Sequence, residues 1–131
     1  MNEQQFKDRT RKLALAVTTL IDQLPRSRTT DVYTGQLLRA ATSVAANYRA
    51  VCRARSSADM ISKLGIVEEE GDETSFWLGM LIDAKKARGE LCAPLIKEAD
   101  EIVAMTVASI KTLRRRVNPK SKIQNLKSKI G

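Results

Sequence analysis

The sequence predicts an all-α protein that folds as an antiparallel up-down-up-down four-helix bundle, and three observations support this prediction. Apolar residues recur at spacings of three and four over long segments, with no useful stretch of the period-two alternation typical of strands. Short segments rich in turn- and cap-forming residues separate these stretches. A chain of 131 residues fits a single domain, and four helices with short connections pack most simply in this topology.

The first two helices are bounded by clear signals. The first is predicted over about Asn2–Leu24, because Pro25 disfavours the helical conformation at the residue before it. The second is predicted over about Asp31–Arg55, with its N-cap among Thr29–Asp31. Only residues 25–30 separate the two predicted helices, so a short connection is expected.

The third helix is predicted from Ser56 to about Ala87. Ser56 and Asp59 have the spacing of a capping box at its start. Gly71 lies on the apolar stripe, which indicates a tight helix–helix crossing, because glycine otherwise costs about 1 kcal/mol there. Gly89 is the predicted C-cap.

The fourth helix is predicted to follow Pro94, which suits either its first turn or a break in its approach, and to continue to about Leu113. Residues 1–116 are thus assigned to the bundle and residues 117–131 to a basic, flexible tail. The tail repeats N-x-K-S-K-I at a period of seven in "NPKSKIQNLKSKIG". Both an in-frame read-through of a short DNA repeat and a selected binding tail explain this repeat.

The composition argues against an enzyme and against metal or cofactor binding. Histidine is absent, which excludes Ser-His and Cys-His dyads and histidine metal sites. Cys52 and Cys92 are isolated and fit small buried residues better than nucleophiles. The acidic run "EEEGDE" at 68–73 lies on one helix, so it predicts a solvated face with Arg39 paired to Glu73 or Glu70. With no signal peptide and no membrane span visible, a cytoplasmic location is expected.

Basic residues collect at one end of the predicted bundle. Residues 1–113 hold sixteen basic and fifteen acidic residues, so their net charge of +1 conceals this arrangement. The start of helix one, the turn between helices two and three, and the end of helix four share this end. Its twelve basic residues are Lys7, Arg9, Arg11, Lys12, Arg49, Arg53, Arg55, Lys63, Lys111, Arg114, Arg115 and Arg116. The opposite end is mixed and includes Asp22, Asp31, Asp83, Glu90 and Glu98. The basic end predicts binding of a polyanion, either RNA or DNA, without base-specific readout.

Small residues occupy the face of the second helix that points away from its apolar stripe. They are Ser43, Ala46 and Ala50, and they permit close approach by another helix of this chain or of another copy. Alanine is also a good helix former, which offers a simpler explanation. Tyr48 and Cys52 lie on the apolar stripe and are predicted to be in the core.

A long stretch of the chain resembles a known family. The segment "LLRAATSVAANYRAVCRARSSADMISKLGIVEEEGDETSFWLGML" is similar to the central motif of the four-helix bundle proteins of the 23S rRNA intervening-sequence (S23-like) family. The segments "FKDRTRKLALAV" and "EADEIVAMTVASIKTLR" resemble the flanking helices, so the resemblance covers about residues 5–114.

The resemblance implies a homopentamer around a central axis, no known catalysis and no assigned set of site residues. It also implies a relation to the accessory variability determinant of diversity-generating retroelements, a basic pentameric barrel that binds nucleic acid and a reverse transcriptase. We therefore expect a non-catalytic oligomeric nucleic-acid-binding or ribonucleoprotein accessory protein. The alternative is a protein–protein adaptor that docks an acidic protein or a reverse transcriptase.

Overall fold

The computed structural model describes residues 1–117 and places them in four long helices. These helices are α1 (Glu3–Gln23), α2 (Arg28–Cys52), α3 (Ser57–Asp83) and α4 (Gly89–Val117). Helices that follow one another in the chain pack side by side, and α4 closes the bundle against α1 over a shorter contact. The predicted all-α four-helix bundle is confirmed. Of the predicted tail, Val117 ends α4, and residues 118–131 lie outside the described residues.

The start of α2 differs from the prediction. Ser27 has an extended backbone, and its Oγ accepts a hydrogen bond from the Thr30 amide at 3.1 Å. Ser27 is therefore the N-cap, and the prediction of an N-cap among Thr29–Asp31 is wrong. Thr30 lies within the first turn, where its amide donates to the cap and its side chain is buried.

The predicted start of α3 is confirmed, but its predicted end is wrong. Ser56 Oγ accepts a hydrogen bond from the Asp59 amide at 3.1 Å, which makes Ser56 the N-cap. The helix ends at Asp83, because Lys85 adopts a left-handed backbone conformation with φ of 59° that ends the helical path. Gly89 is consequently the first residue of α4 rather than a C-cap, and Pro94 lies inside that helix.

Aliphatic side chains and back-bonded threonines fill the core. The largest fully buried apolar side chains include Leu13, Leu37, Leu78, Leu81 and Ile102. Thr74 and Thr106 are also fully buried, and each Oγ1 donates to a backbone carbonyl four residues earlier at 2.7 Å. These hydrogen bonds satisfy hydroxyl groups that would otherwise destabilise an apolar interior.

The tight crossing predicted at Gly71 is present between α3 and α4. A Cβ atom placed on Gly71 would lie 2.6 Å from Cγ2 of Val103, well inside van der Waals contact. Glycine at this position therefore allows the two helix backbones to approach closely.

The predicted pairing of Arg39 with the acidic run is also present. Arg39 on α2 binds Glu70 on α3 through Nη1 at 3.1 Å and Glu73 through Nη2 at 2.5 Å. The hydrogen bond from Arg39 lowers the pKa of Glu73, whereas burial raises the pKa of Glu70 despite the same guanidinium. The acidic run thus joins α3 to α2 at this level of the bundle.

Candidate nucleic-acid interface

The three predicted segments do meet at one end of the bundle. Phe6 near the start of α1 packs on Tyr48 near the end of α2, with ring centroids 4.4 Å apart. Met60 in the first turn of α3 and Leu113 near the end of α4 line a common pocket with Tyr48. The antiparallel topology therefore brings the basic residues of four different helices to this end.

A groove with a cationic lining lies on the outer side of the α2–α3 hairpin. It has a volume of about 410 Å³ and is lined by Ala46, Arg49, Ala50, Arg53, Arg55, Asp59 and Lys63. We call this site the basic groove. Four cationic side chains converge there against a single carboxylate, that of Asp59, which binds Lys63 Nζ at 2.6 Å.

The local fold explains why these side chains converge. Arg49 lies in the last turn of α2, and Arg53 is the C-cap that follows the helix, so the two side chains are one turn apart and line the same groove. The amide of Arg53 bonds to the carbonyls of Ala50 and Val51 and ends the helix, and Ser56 starts α3 three residues later. This short turn holds Arg55 between the two helices, and Lys63 of α3 lines the same groove.

The remaining predicted basic residues lie outside the groove. Lys7, Arg11 and Lys12 are on α1, with Arg11 about 12 Å along that helix from its start. Lys111, Arg114, Arg115 and Arg116 are exposed on the last turns of α4. The structure therefore brings four of the twelve predicted residues into one site and distributes the others around the same end.

Arg9 is neutralised by α4. Its guanidinium forms ion pairs with Glu98 and Glu101 and lies 3.3 Å from the Met105 sulfur. The hydrogen bond to Glu98 is the main cause of the raised pKa of Arg9. The prediction that Glu98 belongs to the opposite end is wrong, because α4 begins at Gly89 and carries Glu98 about 14 Å along the helix.

The small residues of α2 border the basic groove. Ala46 is exposed and, like the half-buried Ala50, lines the groove, so no helix of residues 1–117 covers it. Ser43 is half-buried and its Oγ accepts a hydrogen bond from Asn47 Nδ2 at 2.9 Å. A contact of Ser43, Ala46 and Ala50 with another copy stays a prediction.

A second pocket at the same end was missed by the sequence analysis. It has a volume of about 360 Å³ and is lined by Tyr48, Val51, Met60, Leu64, Ala108, Ser109, Thr112, Leu113 and Arg116. We call this site the apolar pocket. Helical periodicity assigns Tyr48 and Val51 to the core, and it contains no signal that the core is open at this end.

The two thiols of the chain are not activated as nucleophiles. Burial raises the pKa of both thiols, Cys52 and Cys92, so they are protonated at neutral pH and weak nucleophiles. Within residues 1–117, no cluster of three or more carboxylate or thiol side chains could hold a metal ion. None of the four described helices is long and apolar enough to cross a membrane.

Together these features define a small all-α bundle protein with a basic groove at one end. The model of the family described as 23S rRNA-intervening sequence protein matches residues 2–108. The chain belongs to this family, as the resemblance in the sequence indicated.

A solved structure supports the same assignment. The chain is similar to a protein of unknown function from the S23 ribosomal protein family of Bacteroides thetaiotaomicron, with 32% sequence identity and a TM-score of 0.78. The similarity covers 85% of this chain and 99% of the other. No curated protein matches the chain.

Proposed function

We propose that this protein is a non-catalytic, oligomeric nucleic-acid-binding or ribonucleoprotein accessory protein that uses the basic end of its bundle. The observation that supports this proposal is the basic groove, where Arg49, Arg53, Arg55 and Lys63 converge against one carboxylate. Guanidinium groups bind phosphate oxygens in a bidentate geometry, so three of them around one groove favour a phosphodiester backbone.

The helix dipole alone does not account for this cluster. Cations stabilise a helix C-terminus, which explains Arg49 and Arg53 at the end of α2. Lys63 has its own partner, because it forms an i,i+4 ion pair with Asp59 within α3. Arg55, however, lies in the turn beyond α2, where the dipole does not account for it, and an anionic partner would.

The groove favours sequence-independent binding. Its lining has two alanines and no aromatic side chain on which bases could stack. Contacts to phosphates position a nucleic acid but carry no sequence information. The basic groove therefore suits the backbone of RNA or DNA rather than a particular base sequence.

Salt dependence tests this proposal. We expect nuclease-treated protein to bind a labelled oligonucleotide at 50 mM salt and to lose affinity steeply as salt rises, with a log–log slope of about −3 to −4 if the four groove cations each contact a phosphate. Fluorescence anisotropy over a salt series measures the slope. Absence of binding at 50 mM salt would count against the proposal, and a protein that co-purifies after nuclease treatment would favour an adaptor for an acidic protein or a reverse transcriptase.

We also propose that the chain assembles as a homopentamer, as the family resemblance implies. An aromatic group outside the basic groove supports self-association, since Phe76 keeps 55% of its surface exposed and packs on Trp77, which in turn packs on Tyr33. Five copies of the 14.6 kDa chain have a mass of about 73 kDa.

Light scattering after size-exclusion chromatography tests the assembly. We expect a mass of about 73 kDa for the nuclease-treated protein, from five chains of 14.6 kDa each. A larger mass before nuclease treatment would report bound nucleic acid in the same experiment. A species of one chain at micromolar concentration would contradict the pentamer.

A further inference from the structure

The apolar pocket and the basic groove lie on opposite flanks of one hairpin. At the end of α2, Arg49 and the C-cap residue Arg53 line the groove, whereas Tyr48 and Val51 line the pocket. The same division holds on α3, where Asp59 and Lys63 face the groove and Met60 and Leu64 face the pocket. Because a helix with its side chains is about 10–12 Å wide, the two sites are separated by about that distance.

The size and lining of the apolar pocket suit an organic ring. Its volume of about 360 Å³ is at the lower end of the range for small-molecule sites, about 300–1,000 Å³. Val51, Met60, Leu64 and Leu113 supply apolar walls, and the ring of Tyr48 adds an aromatic surface. The site therefore offers larger apolar side chains than the basic groove, whose apolar lining consists of Ala46 and Ala50.

Polar groups are placed at the mouth of this pocket. Ser109, Thr112 and Arg116 of α4 are exposed and contribute two hydroxyls and a guanidinium. The pocket thus combines an apolar interior with a cationic, hydrogen-bonding rim.

From this geometry we infer that the apolar pocket receives an unpaired nucleobase of the strand whose phosphates lie in the basic groove. The inference rests on the proposed function and extends it to single-stranded nucleic acid. The cationic rim is complementary to a polyanion, and the strand would cross the α2–α3 turn to reach from groove to pocket. A base held in a duplex cannot enter, so single strands are preferred over duplexes of the same sequence.

Two oligonucleotides of equal length and charge separate base binding from phosphate binding. One is a single-stranded 12-mer of mixed sequence, and the other has the same phosphates with abasic sites throughout. We expect the abasic strand to bind the full-length protein about fivefold more weakly at the same salt concentration, with a similar salt slope. Equal affinities would assign the pocket to another occupant, such as an apolar side chain of a second copy, and overturn the inference.

A pair of matched variants locates the effect. Ala108→Leu/Thr112→Leu fills the apolar pocket from two exposed positions of α4 without changing charge. Ala93→Leu/Ala104→Leu makes a comparable change at two exposed positions in another groove of the same helix. We expect the first variant to bind the intact strand only as well as the abasic one, and the second to behave as the wild type.

The outcomes separate the inference from the proposed function. Wild-type protein that binds neither oligonucleotide at 50 mM salt contradicts the proposed function itself. In a second outcome, the wild-type protein binds both strands and the pocket-filling variant keeps the same preference for the intact strand. That outcome contradicts only the assignment of the pocket. The comparison of the two strands on wild-type protein needs no variant, so it holds even if a substitution disturbs folding.

Discussion

Replacing Arg49, Arg53 and Arg55 together with glutamine is expected to weaken oligonucleotide binding about 100-fold at 100 mM salt. Each arginine that contacts a phosphate releases about 0.7 to 0.9 counterion, so the log–log salt slope should become shallower by two to three. All three side chains are exposed and line the basic groove, so the bundle should keep its helical content and its unfolding midpoint. Anisotropy titrations at several salt concentrations measure both quantities.

A matched variant tests whether position or total charge matters. Arg28, Lys85 and Arg88 are also exposed, and they lie at the opposite end of the bundle, at the start of α2 and between α3 and α4. Replacing these three with glutamine removes the same charge, and we expect less than a threefold loss of affinity because the contacts to phosphate remain. Equal losses in the two triple variants would show a general charge effect and contradict a role for the basic groove.

The helices were predictable because the signals that define them are local. The spacing of three and four that places Leu37, Val44 and Leu78 in the core is set by the helix itself and needs no knowledge of the partner helix. The ends were less predictable where several residues could cap, as at Ser27 and Thr30. The start of α4 was missed because Pro94 resembles a first-turn proline, although its helix begins at Gly89.

The basic groove was predictable because its residues also depend on local structure. The contacts between distant helices at the same end were not predictable. Arg49, Arg53, Arg55 and Lys63 are close in sequence, so one short turn is enough to bring them together. Arg9 and Glu98 are 89 residues apart in the sequence. Their pairing depends on how far α1 and α4 are offset along the bundle axis. This offset follows from the lengths of all the intervening helices and turns. Small errors in each predicted helix boundary therefore accumulate.

Replacing Gly71 with alanine is expected to destabilise the bundle by about 1–3 kcal/mol. The added methyl would lie 2.6 Å from Cγ2 of Val103, a β-branched side chain with little rotamer freedom in a helix, so α3 and α4 must separate. Alanine is favoured over glycine in a helix by about 1 kcal/mol, so a net loss of stability requires that the clash exceed this gain. Urea unfolding monitored by circular dichroism measures the change.

Two further variants test whether the loss of stability in Gly71→Ala comes from the crossing of α3 and α4. Gly79 lies in the same helix and has no heavy atom within 4 Å of a Cβ position, so Gly79→Ala should instead stabilise the bundle by about 0.5–1 kcal/mol. Val103→Ala removes the methyl that causes the clash, so Gly71→Ala/Val103→Ala should be more stable than the sum of the two single changes predicts. Strict additivity would show that Val103 does not set the approach of the helices. Because α4 carries Ala108, Thr112 and Arg116 to the apolar pocket, a wider crossing at Gly71 should also reduce the preference for intact over abasic strands.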